Sequence, residues 1–292
     1  MDLLAGCVES LFNDPAAPVL EIFVVDNAST DGTVPMLHER YPQVHVIECQ
    51  GNIGFASANN LGIRSSAGEY LLLLNPDTEV KPGAVAALLE FLVSNPDAGA
   101  VGPRILNPDG SLQHSCSPVP TLQREFRRLY HLPGIRHDGN YEMQNWDQDK
   151  PHPTEILLGA CIMLPRRALV QVGLMDEDYF MYTEETDLCY RLKRAGWRLF
   201  WLPGAQVVHF GGQSTKQAAR EMFLRLYQSK TLFFRKHYGA FAAFVYKLLL
   251  LSVSLSRVLL TPIAWFQPTV KRQKSLSQAR NYLSLLSALP GM

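Results

Sequence analysis

The sequence predicts an α/β fold with a mostly parallel sheet flanked by helices, followed by a helical tail. Short apolar, β-branched runs alternate with segments of helical periodicity, at the spacing typical of βαβ units. The chain has 292 residues, of which 47% are hydrophobic and 18% charged, so it can form one large α/β domain or two small ones. A change of composition near residue 217 divides a predicted domain, 1–217, from a tail, 218–292.

Helices and strands alternate through the first hundred residues. A helix over 3–12 ends before Pro15, and the apolar run 19–25 predicts a buried strand that ends at Asp26. The elements expected next are a helix at 34–41, a strand at 44–47, a helix at 56–65, a strand at 70–74, a helix at 82–94 and a strand at 98–101.

The middle of the chain interrupts this alternation. Residues 107–153 are rich in proline and histidine and have little periodicity, which predicts a long irregular insertion, an acceptor-side loop. Regular structure is expected again as a strand at 155–165, helices at 166–172 and 184–195, and short strands at 197–202 and 205–208.

The tail predicts contact with a membrane. Residues 218–237 predict a basic, aromatic helix, and the apolar segment 241–266 is interrupted by Lys247 and Arg257. Because a transmembrane helix needs about 20 apolar residues with few charges, an interfacial or re-entrant helix is favoured. The basic stretch 271–280 contains no acid, which is typical of contact with anionic inner-leaflet lipids. The alternative is an amphipathic helical pair packed on the domain.

Charge and cysteine content exclude several classes of protein. Lys plus Arg and Asp plus Glu are 27 each, so a bulk polyanion binder is disfavoured and no nucleic-acid partner is expected. The 5 cysteines are widely spaced without a CxxC pair, which disfavours a disulfide framework or structural zinc. No secretory signal opens the chain, so we expect a cytoplasmic protein, peripheral on the cytoplasmic face of the membrane.

Two aspartates directly follow predicted buried strands. Ligands of parallel α/β sheets bind beyond the carboxyl ends of strands, where Asp26 and Asp77 are expected. Asp77 is the candidate ligand for Mg²⁺ or Mn²⁺, which prefer carboxylate oxygens; the alternative is a turn former. The glycine-rich loop from Gly51 to Gly62 is a candidate phosphate contact or a simple turn, since it lacks both GxGxxG and GxxxxGK.

Acidic residues at a helix start and one histidine complete the candidates. Glu184, Glu185 and Asp187 either cap the helix or include a general base whose pKa a neighbouring carboxylate raises. His209 follows a strand and precedes glycines, and it is either structural or a further metal ligand.

Together these motifs resemble family 2 glycosyltransferases of the rhamnosyltransferase-like branch. The resemblance covers about residues 1–240 and is carried by Val24-Val25-Asp26-Asn27-Ala28-Ser29-Thr30-Asp31-Gly32-Thr33, Asn52-Ile53-Gly54-Phe55-Ala56 with Asn59-Asn60, Leu74-Asn75-Pro76-Asp77-Thr78, Gly159-Ala160, Gly173-Leu174-Met175-Asp176-Glu177, Tyr182-Thr183-Glu184-Glu185-Thr186-Asp187-Leu188 and His209-Phe210-Gly211-Gly212-Gln213-Ser214.

The resemblance implies a GT-A fold, a dTDP- or UDP-linked sugar donor and a divalent cation. Asp26 would contact the nucleotide base, Asp77 the metal, and His209 the metal or the diphosphate. Glu185 stands where the family has an aspartate base, and the choice between Glu184 and Glu185 stays open. The further substrate-binding residues implied are Asn27, Asn52, Gly54, Asn59, Asn75, Gly159 and Asp187.

The expected activity is inverting transfer of rhamnose or another deoxyhexose to a cell-surface glycan or lipid-linked acceptor. The family normally opens with a strand that would precede Leu3, so we expect either a start codon assigned too late or a true truncation. The alternative function is an inactive sugar-nucleotide-binding or scaffold protein, and a nucleotidyltransferase is a weaker third.

Overall fold

The chain forms two compact units. The structure is a computed structural model that describes residues 2–130, 141–211, 219–262 and 269–292. Of these, the first unit contains 2–119, 141–180 and 184–211, and the second contains 120–130, 181–183, 219–262 and 269–292. The predicted boundary between 217 and 218 lies outside the described residues and stays a prediction.

The described residues contain strands β1 Phe23–Asp26, β2 His45–Glu48, β3 Tyr70–Leu74, β4 Thr78–Val80, β5 Ala98–Leu106, β6 Cys116–Ser117, β7 His152–Thr154, β8 Ile156–Leu157, β9 Cys161–Pro165 and β10 Arg198–His209. The helices are α1 Asp2–Phe12, α2 Thr33–Arg40, α3 Phe55–Ser65, α4 Ala84–Ser94, α5 Leu122–Tyr130, α6 Arg166–Val172, α7 Glu184–Arg194, α8 Ala219–Leu259 and α9 Thr269–Ala288. Short 3₁₀ turns lie at Met143–Asn145 and Leu289–Gly291.

The main sheet of the first unit is mixed. Its strand order is β3-β9-β5-β10-β4, and β7 also pairs with β10. Only β5 and β10 run parallel within it, whereas β1 and β2 form a separate parallel pair. The expected mostly parallel sheet is therefore wrong for the main sheet. Apolar runs reveal buried strands but not their direction, and β9 enters antiparallel between β3 and β5.

The apolar patterns explain where the core lies. Every residue of β9 is buried and β3 alternates, with Leu71 and Leu73 inside. One cluster contains Trp201 of β10 with Leu192 of α7, and a second contains Leu92 of α4. Full burial of a leucine contributes about 2 kcal/mol, so these clusters stabilise the sheet that positions the strand ends.

Most predicted elements occur with nearly the predicted bounds, and five strands differ. The strand at 19–25 is shortened to β1, because β2 offers only four partners in register. The strand at 155–165 is split into β8 and β9 by residues 158–160. The strand at 98–101 continues to Leu106, and those at 197–202 and 205–208 are one strand, β10, whose register shifts between Leu202 and Gln206.

The insertion at 107–153 is more regular than predicted. It contributes β6, β7 and α5, and Met143 at its centre is completely buried. Tyr141 and Trp146 pack against the first-unit core, and Trp146 stacks on His152 with ring centroids 3.9 Å apart. The proline content that suggested a loop ends these elements without preventing them.

The second unit is helical. Helix α8 packs against α5 and α9 around a cluster that includes Tyr246, Leu250 and Leu285. It contains a kink at Gly239, whose φ of 88° and ψ of 171° lie in a region that only glycine adopts readily. This kink agrees with the predicted break between 218–237 and 241–266, although 263–266 lies outside the described residues.

Candidate active site

The carboxyl end of β1 carries Asp26 and Asn27. Asp26 is 6% exposed, and one carboxylate oxygen accepts the Ser29 backbone N–H at 3.0 Å. Asn27 donates to the Gly54 carbonyl at 3.3 Å and accepts the Ile53 N–H at 3.2 Å. The predicted nucleotide-contact loop is thus tied to the predicted phosphate loop through Asn27.

Gly54 is required where it stands. Its φ is +87°, and a Cβ there would lie 2.6 Å from the Phe180 carbonyl oxygen, far inside contact distance. That oxygen accepts the Phe55 N–H at 2.8 Å. Asn52 accepts the Gly54 N–H at 3.0 Å, while Asn59 donates to the Phe55 carbonyl of its own helix at 2.9 Å. These contacts fix the entry of the loop into α3.

Asn60, next to the predicted Asn59, connects α3 to the segment around Met175, which is distant in sequence. It is 1% exposed, donates to the Met175 carbonyl and to Glu177, both at 2.8 Å, and accepts the Met175 N–H at 3.0 Å. Hydrogen bonds from Asn60 and then Arg64 lower the pKa of Glu177. In the sequence this position is marked only by the pair Asn59-Asn60. The phase of helix α3 turns Asn60, rather than Asn59, toward the interior.

The two adjacent glutamates at the start of α7 lie in different environments. Glu184 is 4% exposed, and burial first, then the charge of Glu185, raise the pKa of Glu184 well above its usual range. Glu185 is only half-buried and lies beside Gly159, where a Cβ would be 3.5 Å from the Glu185 Cβ. Burial therefore disfavours the ionised form of Glu184, and Glu185 is the more accessible of the two.

Asp187, predicted to bind substrate, is buried and ion-paired. Its side chain is 1% exposed and accepts from Arg191 Nε at 2.7 Å. Arg191 also donates to the carbonyls of Val172 at 2.6 Å and Leu174 at 2.8 Å. In the structure Asp187 orients the arginine that fixes the segment after α6; a substrate contact stays a prediction.

The β4–β10 ladder brings Asp77 next to His209. Thr78 pairs with His209 in antiparallel register, and the Asp77 carbonyl accepts the Phe210 N–H at 2.9 Å. Asp77 Oδ1 and His209 Nε2 are 3.3 Å apart. The predicted pair of metal ligands is thus assembled by strand register.

Gln113 orients His209, and sequence reasoning missed it. Its Nε2 donates to Asn107 at 2.9 Å, so its Oε1 accepts from His209 Nδ1 at 2.7 Å. In neutral His209 the proton is then on Nδ1, and the Nε2 lone pair faces the carboxylate of Asp77. No motif marks Gln113, because its partner is distant in sequence.

This arrangement fits a divalent cation. Two acceptor atoms that face each other repel unless a cation or proton lies between them. Asn75 adds a buried Oδ1 without a hydrogen-bond partner among the described residues. Among the described residues, no three His, Cys, Asp or Glu side chains are placed so that they could hold one metal ion together, so the protein would supply few ligands. Mg²⁺ and Mn²⁺ usually complete such sets with water and substrate phosphate.

The predicted residues lie along a continuous path in the first unit. Asn75 N–H donates to the Ala160 carbonyl at 2.9 Å, which links the metal loop to the turn that carries Gly159. One branch of the path runs from Asn27 to Gly54 and Phe55, and then to Gly159 and Glu185. The other branch runs from Ala160, next to Gly159, through Asn75 and Asp77 to His209. The predicted nucleotide-binding loop, the predicted metal ligands and the candidate base are thereby brought into one region.

Known proteins share this sequence and fold. Residues 2–141 match the family model described as glycosyl transferase family 2. The chain is 36% identical over 211 residues to N-acetylglucosaminyl-diphospho-decaprenol L-rhamnosyltransferase of Mycobacterium tuberculosis, covering 67% of this chain and 68% of that protein. It is 33% identical to a low-salt glycan biosynthesis hexosyltransferase of Haloferax volcanii, covering 60% of this chain and 54% of that protein.

Solved structures confirm the predicted GT-A fold. A mannosyltransferase from Pyrobaculum calidifontis, in complex with GDP-Man and Mn²⁺, aligns with 98% of this chain and 82% of its own, with a TM-score of 0.55 and 18% identity. GalNAc-T7 with UDP, GalNAc and Mn²⁺ covers 71% of this chain and 40% of its own, with a TM-score of 0.52 and 17% identity. The chain therefore belongs to glycosyl transferase family 2, in its rhamnosyltransferase-like branch, and it is a glycosyltransferase of the GT-A fold.

Proposed function

We propose that this glycosyltransferase moves rhamnose or another deoxyhexose from a dTDP- or UDP-linked donor to a lipid-linked glycan acceptor, with inversion. The observation that carries the proposal is the facing pair Asp77 and His209, 3.3 Å apart, in the same region as Glu185. The mycobacterial relative, whose name specifies a rhamnosyl transfer to a diphospho-decaprenol acceptor, supports the donor sugar and acceptor class.

The donor would be held by the loops at the strand ends. Asp26 and Asn27 face the nucleoside, and the loop through Asn52 and Gly54 presents backbone to the sugar-nucleotide. Mg²⁺ or Mn²⁺ between Asp77 and His209 would stabilise negative charge on the leaving diphosphate. Asn75 would direct its carbonyl oxygen, which has no hydrogen-bond partner among the described residues, to the same cation.

Glu185 would act as the general base. It removes the proton of an acceptor hydroxyl, whose oxygen then attacks the anomeric carbon from the side opposite the diphosphate. Bond formation to the acceptor oxygen and loss of the diphosphate at opposite faces of that carbon invert its configuration. Glu184 is less suited to this role, because burial disfavours its ionised form and its side chain is less accessible.

The second unit would hold the enzyme at the cytoplasmic face of the membrane. Within the described residues, one helix, Arg220–Leu259, is long and apolar enough to cross a membrane by length and composition. Only 28% of its most apolar window is buried, which leaves apolar surface for lipid. A membrane location suits an enzyme whose acceptor carries a lipid.

The test is metal-dependent turnover of the donor. Purified chain is incubated with dTDP-rhamnose or UDP-sugars and Mn²⁺ or Mg²⁺, and release of nucleoside diphosphate is measured with and without a lipid-linked acceptor. Asp77→Ala should abolish release without changing the circular dichroism spectrum, because it removes a metal ligand and no core contact. Normal turnover by folded Asp77→Ala would overturn the metal assignment.

A further inference from the structure

The part of α8 after its kink exposes an apolar stripe on one face. Side chains at steps of three and four residues are 39–79% exposed, as expected for a single helical face. They are Phe241, Phe244, Leu248, Leu251, Leu255 and Leu259. Such a continuous exposed row is costly in water and marks a surface that contacts an apolar partner.

The opposite face of this segment excludes a bilayer crossing. Tyr246 is fully buried there, and its hydroxyl donates to Glu125 at 3.1 Å. Further along the helix, Ser252 and Tyr130 share a hydrogen bond of 2.6 Å. A crossing helix would carry α5, with its buried Glu125, into hydrocarbon, where ionised side chains are strongly disfavoured. The segment can instead lie in the membrane plane with its stripe toward lipid.

The kink at Gly239 opens a cleft next to the stripe. The cleft has a volume of about 430 Å³, and Phe244 belongs to both the cleft and the stripe. Arg235 from before the kink and Lys247 from after it line the cleft, together with polar Thr231 and Gln228. Met292, the last residue of the sequence, also lines the cleft, so its main-chain carboxylate belongs to the same wall. No acidic side chain lines the cleft, and among the described residues neither Arg235 nor Lys247 forms an ion pair with an acidic side chain.

We propose that α8 after Gly239 lies in the plane of the bilayer with its stripe among lipid acyl chains, and that Arg235 and Lys247 bind the phosphate of an anionic membrane lipid in the adjacent cleft. The proposal rests on the membrane location given under the proposed function. It adds the orientation of α8 in the bilayer and the lipid group that the cleft binds. Two cations with no acidic side chain among the lining residues complement a lipid phosphate, and the shared Phe244 joins the headgroup site to the acyl surface. Basic residues near such headgroups each strengthen binding by roughly tenfold or less.

The first test measures binding of the full chain to vesicles. Vesicles of phosphatidylcholine with phosphatidylglycerol should bind the protein more tightly than phosphatidylcholine alone. Arg235→Gln with Lys247→Gln should weaken binding to the anionic vesicles about 30-fold. The matched control, Arg40→Gln with Lys150→Gln, removes two exposed charges of the first unit and should leave binding nearly unchanged. Equal losses in both double variants would overturn the cleft as a specific site.

The second test concerns the stripe. Phe241→Ser with Leu248→Ser should weaken binding to both kinds of vesicle about 100-fold, whereas the exposed control pair Val93→Ser with Val170→Ser should not. Bound protein should be released by alkaline carbonate, since an in-plane helix is not anchored across the bilayer. Resistance to carbonate would overturn the orientation. Release of the protein by millimolar inorganic phosphate alone would overturn a lipid in favour of a free phosphate site.

A third measurement separates this proposal from the proposed function. Donor hydrolysis in detergent-free buffer without vesicles should be unchanged in all these variants, because none of the substituted residues lies on the active-site path. Normal hydrolysis with unchanged vesicle binding would reject the lipid surface alone. Absence of hydrolysis in the wild-type chain would reject the proposed enzymatic activity and leave the vesicle results standing.

Discussion

Two adjacent glutamates at the start of α7 differ in what their surroundings allow. The chain places Glu184 inward and Glu185 toward Gly159, so burial disfavours ionisation of the first carboxyl, while the second lies on the active-site path. Their order along the chain could not decide which is the base. Helix phase gives the two side chains different surroundings, because successive helical residues point about 100° apart, and this difference supports the proposal of Glu185 as the base.

Glu185→Gln should therefore lower sugar transfer about 1000-fold, the usual range for loss of a general base. The matched control is Glu184→Gln, which replaces a buried carboxyl by an amide of nearly the same shape and should retain activity within about tenfold. Both are measured as product formation at saturating donor, with circular dichroism to verify folding. A larger loss in Glu184→Gln than in Glu185→Gln would reverse the assignment.

Gln113 acts on the metal site through His209. Gln113→Leu should leave His209 free to rotate and weaken Mn²⁺ binding about 10- to 100-fold, as expected when the hydrogen-bond partner of a ligand is removed. Calorimetric titration with Mn²⁺ measures the effect without turnover. Gln148→Leu, which removes amide contacts to Met143 and Trp146, is the control and should not alter Mn²⁺ affinity. Unchanged affinity in Gln113→Leu would contradict the orienting role.

The buried carboxylate of Glu125 connects helix α5 to helix α8. Burial alone would raise the pKa of Glu125, but Lys230 and Arg128 outweigh it and lower that pKa to about 2. Lys230 and Arg128 each lie 2.7 Å from the carboxylate. The contact aligns two elements that are about a hundred residues apart in sequence.

Glu125→Gln should destabilise the second unit by about 3–5 kcal/mol, because it leaves two cations without their partner. The folded pKa lies below the unfolded one, so the stabilisation is complete above about pH 4.5 and is lost as the pH falls toward 2. The difference between wild type and variant, measured by urea denaturation, should accordingly shrink over that range. Glu221→Gln, at an exposed pair with Arg225, is the control and should change stability by less than about 0.5 kcal/mol.

Elements with clear apolar periodicity were predictable from the sequence. Elements whose bounds or direction depend on the strand they pair with were not. Helices α3, α6 and α7 follow from their apolar spacing and ends. By contrast, two strands were predicted on either side of Pro203-Gly204. In the structure they form one continuous strand, β10, which pairs with β5 through a shift of register. Strand direction and the tie from Asn60 to Met175 depend on contacts distant in sequence, which one sequence does not reveal.

At the scale of the whole molecule, the equal totals of acids and bases conceal an uneven distribution. Formal net charge is zero over 292 residues, yet α8 contains a single acid, Glu221, among its many lysines and arginines. The candidate active site was largely predictable because motif residues sit at strand ends. Its supporting residues, Asn60, Gln113 and Arg191, were not, since their roles come from the folded chain.

The register of β4 on β10 has a consequence for how the metal site forms. Asp77 and His209 face each other through backbone pairing and Gln113, so folding itself prepares the site before any cation arrives. Treatment with a chelator should then abolish sugar transfer while the thermal unfolding midpoint falls by only a few degrees, and added Mn²⁺ should restore the rate at once. A protein that needed refolding to recover would show instead that the cation organises the ladder. Preorganisation of this kind would let the cation bind and leave without unfolding of the protein.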